Sequence, residues 1–258
     1  MARDAGTLDV LVEVDSGHHR TGVPPYRAGD LAAAATEAGL HVRGVFTFPG
    51  HSYGSGQVAS AAVAESTALR DAAGSMRTAG IAPEIISGGS TPSASFTDGD
   101  VLTEMRPGVY VFNDAQQVEL GSCRADQVAL TVSTTVVSRS GDHVVVDAGS
   151  KVLGADRPTW ATGYGRLPDR LDARVVALSE HHATVSFALG GERPGLGEVV
   201  RIMPNHVCTA VNLADELAVV RQARIVDVWR VAARGANTSP RSPDGDHGGA
   251  IASGHDRK

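Results

Sequence analysis

Between residue 8 and about residue 116, apolar strands and alanine-rich helices alternate; beyond it strand follows strand, separated by Gly, Pro and Asp. This change of rhythm constrains the fold more than any other feature of the 258 residues. Leu8-Asp9-Val10-Leu11-Val12-Glu13-Val14 reads as a strand, closed by the turn signal Asp15-Ser16-Gly17. Residues 28–38, rich in alanine and leucine, predict a helix stopped by Gly39, and residues 41–48 a strand closed by Pro49-Gly50. A long helix is predicted over 58–79, ended by Gly80. A short strand at 84–86 then enters Ser87-Gly88-Gly89-Ser90-Thr91, where Thr91 followed by Pro92 has the form of an N-cap before an N1 proline. Strands and helices at this spacing mean βα units and a parallel sheet.

In the second half, residues 127–138, 143–147, 174–178, 184–189, 199–203 and 225–230 read as strands, with one helical turn near 214–217. This predicts an all-β, antiparallel domain. The expected organisation is a partial (β/α) barrel over 1–116, a β domain over 117–236, and a tail over 237–258. The tail holds Ser, Pro, Gly, Asp and His with almost nothing to bury, so it is expected to be disordered.

Composition removes several functional classes. The net charge is -6 and no Lys/Arg cluster forms a nucleic-acid footprint. No run approaches the roughly 18 apolar residues of a membrane span, and the N-terminus lacks a signal-peptide pattern, which points to the cytoplasm. Two cysteines, Cys123 and Cys208, make a disulfide framework an improbable reading. Of the 23 basic residues only Lys151 and Lys258 are lysines, so chemistry that needs a buried amine has almost nowhere to place one.

Four segments could carry chemistry. In Pro204-Asn205-His206-Val207-Cys208, a strand would put His206 and Cys208 on one face, side by side, as an imidazole and a thiolate for zinc with coordination positions left open. The alternative is a half-buried His beside a small core-filling Cys. The stretch Gly88, Gly89, Ser90 and Thr91, at the C-terminal end of a βα strand, offers backbone N–H groups and hydroxyls to a phosphate, or is an ordinary glycine-rich loop. His51 and Tyr53, just past a strand, would supply an acid/base imidazole and a phenol where barrel enzymes keep reactive groups, unless they merely decorate a surface loop. Arg20, delivered to the same rim, would hold an anionic ligand group; solvation is its other reading. Three of these loops fall at the ends of successive predicted strands, which makes a shared rim more credible than any one motif.

Together the segments resemble the fold-type III pyridoxal-phosphate enzymes, in particular the D-serine dehydratase and D-threonine aldolase family. The anchors run from Leu8 to Ala236: Val14-Asp15-Ser16-Gly17 with Arg20-Thr21-Gly22-Val23, Pro49-Gly50-His51-Ser52-Tyr53, Ser87-Gly88-Gly89-Ser90-Thr91-Pro92, Arg106-Pro107-Gly108-Val109-Tyr110, Asp147-Ala148-Gly149-Ser150-Lys151, Leu178-Ser179-Glu180-His181, and Pro204-Asn205-His206-Val207-Cys208 with Val211-Asn212-Leu213. The resemblance implies an alanine-racemase-like barrel followed by a β domain, usually a homodimer. It implies pyridoxal 5'-phosphate held at its phosphate by Gly88 to Thr91 with Tyr53 beside it, His51 as an acid/base, and zinc or another divalent metal on His206 and Cys208. The implied activity is that of a lyase on D-β-hydroxy amino acids. Cysteine at the second metal position favours dehydration of D-serine to pyruvate and ammonia over D-threonine aldolase chemistry. A non-catalytic metal-binding remnant is the third reading.

One element of the family pattern is not in this sequence. The lysine that forms the Schiff base lies on the family's first barrel strand, and the resemblance starts at Leu8, partway into that barrel. Lys151 belongs by its motif to the β domain, and Lys258 to the tail. The expectation is a fragment of a longer frame, or one piece of a split enzyme whose partner brings the remaining strands and the lysine.

Overall fold

The computed structural model describes residues 8–188 and 190–234. Strand β1 (Asp9–Glu13) pairs in parallel with β2 (His41–Phe46), β2 with β3 (Ile85–Gly88), and β3 with the two-residue β4 (Glu104–Met105). The order β1-β2-β3-β4 follows the chain, as successive βα units dictate. Helices α1 (Ala28–Glu37) and α2 (Val58–Thr78) supply the crossovers. Their buried stripe of Ala28, Ala32, Leu69, Ala72, Ala73 and Met76 packs with Val12, Val14, Val45 and Ile86 of the sheet. The small residues let the helices approach closely: a Cβ on Gly29 would stand 2.4 Å from the Ser75 carbonyl oxygen.

A short helix, α3 (Ala115–Leu120), follows, capped at its start by the Asp114 carboxylate and at its end by Gly121 at φ 75°. Next come β5 (Val132–Ser140), β6 (His143–Val146), the single turn α4 (Ser150–Leu153), β7 (Gly165–Leu167), β8 (Arg170–Leu178), β9 (Ala183–Ser186) and β10 (Val199–Pro204). Antiparallel pairing in the order β10-β5-β6-β9-β8-β7 closes on itself through the β10–β7 contact. Alternate residues point inward, and Val136, Val144, Val146, Val175, Val185 and Ile202 fill the interior. The partial parallel barrel followed by a β domain is therefore the architecture of the chain.

The chain divides into two compact units, one up to Ala210 and one from Val211 onward. The first holds the parallel sheet and the closed barrel. The second holds the hairpin β11 (Glu216–Arg221) and β12 (Arg224–Arg230), turned by Gln222 and Ala223 at positive φ. Here the sequence reading needs correcting. Instead of a helical turn near 214–217, α5 (Val207–Leu213) ends first and Glu216 already begins a strand. The partner strand β12 imposes extended pairing on a segment that alone reads either way. The tail over 237–258 lies outside the described residues. No helix among the described residues is long and apolar enough to cross a membrane.

Candidate active site

The C-terminal ends of β1, β2 and β3 carry three loops to one rim, the end of a parallel sheet where α/β proteins bind ligands. In the first loop, Asp15 folds the chain back on itself. Its carboxylate accepts from the backbone N–H groups of Gly17 (2.8 Å) and His19 (3.0 Å) and lies 2.7 Å from His19 Nδ1. Burial pushes the Asp15 carboxyl up, but these hydrogen bonds outweigh it and bring the group to about 2. The turn places the Arg20 guanidinium 5.3 Å from the centroid of the Phe48 ring, against which His18 packs edge-on. Tyr53 packs tilted against the same ring, with centroids 6.3 Å apart. Phe48 is thus the platform that brings Arg20 and Tyr53 to one place. His51 has its Nδ1 buried without a hydrogen-bond partner among the described residues. Burial first, and then the nearby His18, lower its pKa, so the ring is neutral at neutral pH.

The loop after β3 is held from below. Gly88, Gly89, Ser90 and Thr91 are all buried. The Ser52, Ser90 and Ser93 hydroxyls form a chain with 2.8 Å steps, and the Thr91 hydroxyl accepts from the Tyr110 N–H at 3.1 Å. Gly89 stands at φ 87° and donates its N–H to Glu65 Oε1 at 2.6 Å. A Cβ on Gly88 would fall 2.5 Å from that same oxygen, so any larger residue there would have to displace the Glu65 carboxyl group. The neighbouring cation is Arg106, which donates to Ser87 Oγ and to the Thr47 carbonyl, each at 2.7 Å. Tyr53 connects this loop to the rest. Burial first, then the charges of Asp114 and Cys208, push its phenol up to about 12, while a hydrogen bond with Thr91 works the other way.

His206 and Cys208 do not lie on a strand. β10 stops at Pro204, and Val207 opens α5, its N–H accepted by Asp114 Oδ2 at 3.0 Å. The same-face argument from strand periodicity therefore fails, because proline lacks the N–H to extend the ladder and Asp114 starts a helix instead. Asp114 first and Cys208 second hold the His206 imidazole up to about 10, against burial, although its Nδ1 has no hydrogen bond of good geometry among the described residues. His206 Nδ1 is 3.4 Å from Asp114 Oδ2, and Nε2 is 4.0 Å from Asp156 Oδ2. Cys208 is exposed. An imidazole and a thiol with an exposed face suit a zinc ion that keeps positions for water or substrate. Among the described residues, no group of three or more His, Cys, Asp or Glu is set to hold a metal ion.

Lys151, on α4, is 55% exposed and paired with Glu180 at 2.8 Å, and Lys258 lies outside the described residues. Among the described residues the rim offers glycines and hydroxyls of the kind that hold a phosphate, with the Gly89 N–H given to Glu65 and the Ser90 hydroxyl to Ser52 and Ser93, and it presents no lysine. Four residues given no role from the sequence prove central: Thr47, Glu65, Arg106 and Asp114. Of these, Glu65 left a readable trace, since it falls on the buried stripe of Leu69, Ala72 and Met76.

Residues 1–116 match the family model of the alanine racemase N-terminal domain, and residues 129–220 that of the serine dehydratase domain. The chain belongs to the alanine-racemase-like, fold-type III pyridoxal-phosphate family that includes D-serine dehydratase and D-threonine aldolase. Within that family it is 34% identical over 231 residues to the D-threo-3-hydroxyaspartate dehydratase of a Delftia species, covering 78% of this chain and 59% of that enzyme. The solved structure of that dehydratase superposes with a TM-score of 0.76 at 28% identity, covering 86% of this chain and 65% of the other. An Arthrobacter D-threonine aldolase is 33% identical over 248 residues, 91% of this chain and 63% of the aldolase. The Mycobacterium tuberculosis protein Rv1414 is 55% identical over 132 residues, 49% of this chain and 99% of that protein. The chain therefore spans less than two thirds of the length of the named enzymes.

Proposed function

We propose that this chain forms the phosphate- and metal-holding part of a lyase acting on D-configured β-hydroxy amino acids, most simply by dehydrating D-serine to pyruvate and ammonia. The observation that carries the reading is the position of Tyr53. Its ring packs beside Phe48, which also carries the Arg20 guanidinium, and Thr91 of the glycine-rich loop, Asp114 and Cys208 all act on its phenol, so one side chain lies between both halves of the proposed site.

Pyridoxal phosphate, when bound, supplies an electron sink for charge developing at the substrate Cα. Gly88, Gly89, Ser90 and Thr91 would hold its phosphate, and Arg20 an anionic group at the rim. His206 and Cys208 would hold zinc or another divalent metal, which supplies Lewis acidity to a β-hydroxyl. His51, neutral and half-buried, is suited to accept a proton, whereas Tyr53 keeps its own. The aldehyde end needs an amine, and we infer that it comes from polypeptide outside these 258 residues. A homodimer, or a partner that supplies further barrel strands, is the expected working unit.

Dehydration is preferred over aldol cleavage because of Cys208. Solved forms of the Delftia dehydratase include a histidine-to-alanine variant and a cysteine-to-alanine variant two positions further on, and the latter is metal-free. The spacing equals that of His206 and Cys208.

The test is turnover by the gene product purified from its native host, given D-serine or D-threonine. Pyruvate from D-serine, abolished by a chelator and restored by zinc, is the expected result. Glycine and acetaldehyde from D-threonine would assign the aldolase instead. Zinc binding without turnover of either substrate would reduce the protein to a metal-binding remnant.

A further inference from the structure

Asp114 has no exposed surface, yet its carboxylate serves three groups from two distant parts of the chain. Oδ1 accepts from the Gln117 N–H at 3.0 Å and so starts α3. Oδ2 accepts from the Val207 N–H at 3.0 Å, starting α5, and faces His206 Nδ1 at 3.4 Å. A backbone bond from the Gln116 N–H to the Asn205 carbonyl, at 3.3 Å, ties the same two segments again. The side chain thus lies where the end of the parallel-sheet half meets the segment that carries His206 and Cys208.

A buried carboxylate needs donors on both oxygens, and two backbone N–H groups supply them here. His206 Nδ1 stands within ion-pair distance of Oδ2 but makes no hydrogen bond of good geometry among the described residues. With Nδ1 turned to the carboxylate, the imidazole directs Nε2 outward, toward Asp156, as the atom free to bind a metal. Carboxylates that take the second nitrogen of a ligating histidine fix its ring and raise its basicity.

We propose that Asp114 is a positioning residue for the metal pair: it orients His206 so that Nε2 and Cys208 face one ion. This rests on the reading of His206 and Cys208 as metal ligands and adds the residue that aligns them. The role is separate from fold maintenance, because the bonds to Gln117 and Val207 would stabilise the two helices with or without an ion.

The experiment is zinc titration of the gene product, against a fluorescent chelator of known affinity, with thermal melting measured on the same samples. Asp114→Asn keeps the size and places an amide where acceptors are needed. Asp114→Ser keeps an N-cap oxygen for Gln117 but is too short to reach His206. Both variants are expected to bind zinc about 10- to 100-fold more weakly than wild type, with Asp114→Ser melting closer to wild type than Asp114→Asn. Should the folded Asp114→Ser protein bind zinc within about threefold of wild type while His206→Ala loses the ion, Asp114 would be purely structural and the proposal overturned. A wild-type protein that takes up no zinc, or a His206→Ala variant that binds as well as wild type, would overturn the metal reading itself and the inference with it.

Discussion

Glu65 is a carboxyl group sealed inside an alanine-rich helix, one turn before Leu69 on the same stripe. One oxygen accepts the Gly89 N–H, and the other has no hydrogen-bond partner among the described residues. Burial raises its pKa above the ordinary 4.5; the Gly89 hydrogen bond and Arg106 pull the other way without prevailing. A group held protonated by the fold adds its full stability below pH 4.5 and loses it as pH climbs through the raised value, because the unfolded chain releases the proton first. Glu65→Gln keeps the acceptor for Gly89 and removes the titration. The variant is expected to gain stability over wild type in urea melts at pH 7, and the gain should vanish near pH 4; an equal gain at both values would mean the group is not held protonated. Single residues were also where sequence reading was weakest. Arg20, His51 and Tyr53 could be singled out as loop residues beside predicted strand ends. Asp114 carries no motif of its own, and its importance comes from a partner 93 positions away.

At the level of elements, the rhythm of the sequence carried most of the fold. α1 and α2 stand within a residue of the predicted 28–38 and 58–79, because Gly39 and Gly80 stop them as expected. What sequence could not show was an element defined by someone else's side chain, as α5 is by Asp114, or one of three residues such as β7. α3 is joined to β7 by a near-buried ion pair. The Glu119 carboxylate meets Arg166 at 2.6 Å, the side chains being 15% and 12% exposed, and also accepts the Thr162 N–H at 3.1 Å. Arg174 stands close by, its pKa lowered by burial and then by Arg166. Glu119→Ala would leave Arg166 without its carboxylate partner and Arg174 with Asp172 alone, an expected loss of about 3–5 kcal/mol. It would be read as a lower urea midpoint at unchanged slope, and a loss below about 1 kcal/mol would show that the pair contributes no more than an exposed one.

The two halves of the first unit end their hydrogen bonding differently. Six antiparallel strands close on one another, whereas the parallel sheet is open and, among the described residues, β1 has β2 as its one strand neighbour. Sedimentation velocity on these 258 residues expressed alone is expected to show mass above that of a monomer, growing with concentration. A single monomeric boundary at every concentration, with activity, would contradict both this and the proposed need for further polypeptide. For a cell, the difference is one of time. A closed barrel is finished when its last strand docks, while an open sheet edge stays recruitable by any passing strand until something covers it. The length of that wait, set against chaperones and proteases, governs how much protein survives to be used, whatever the final complex contributes in stability.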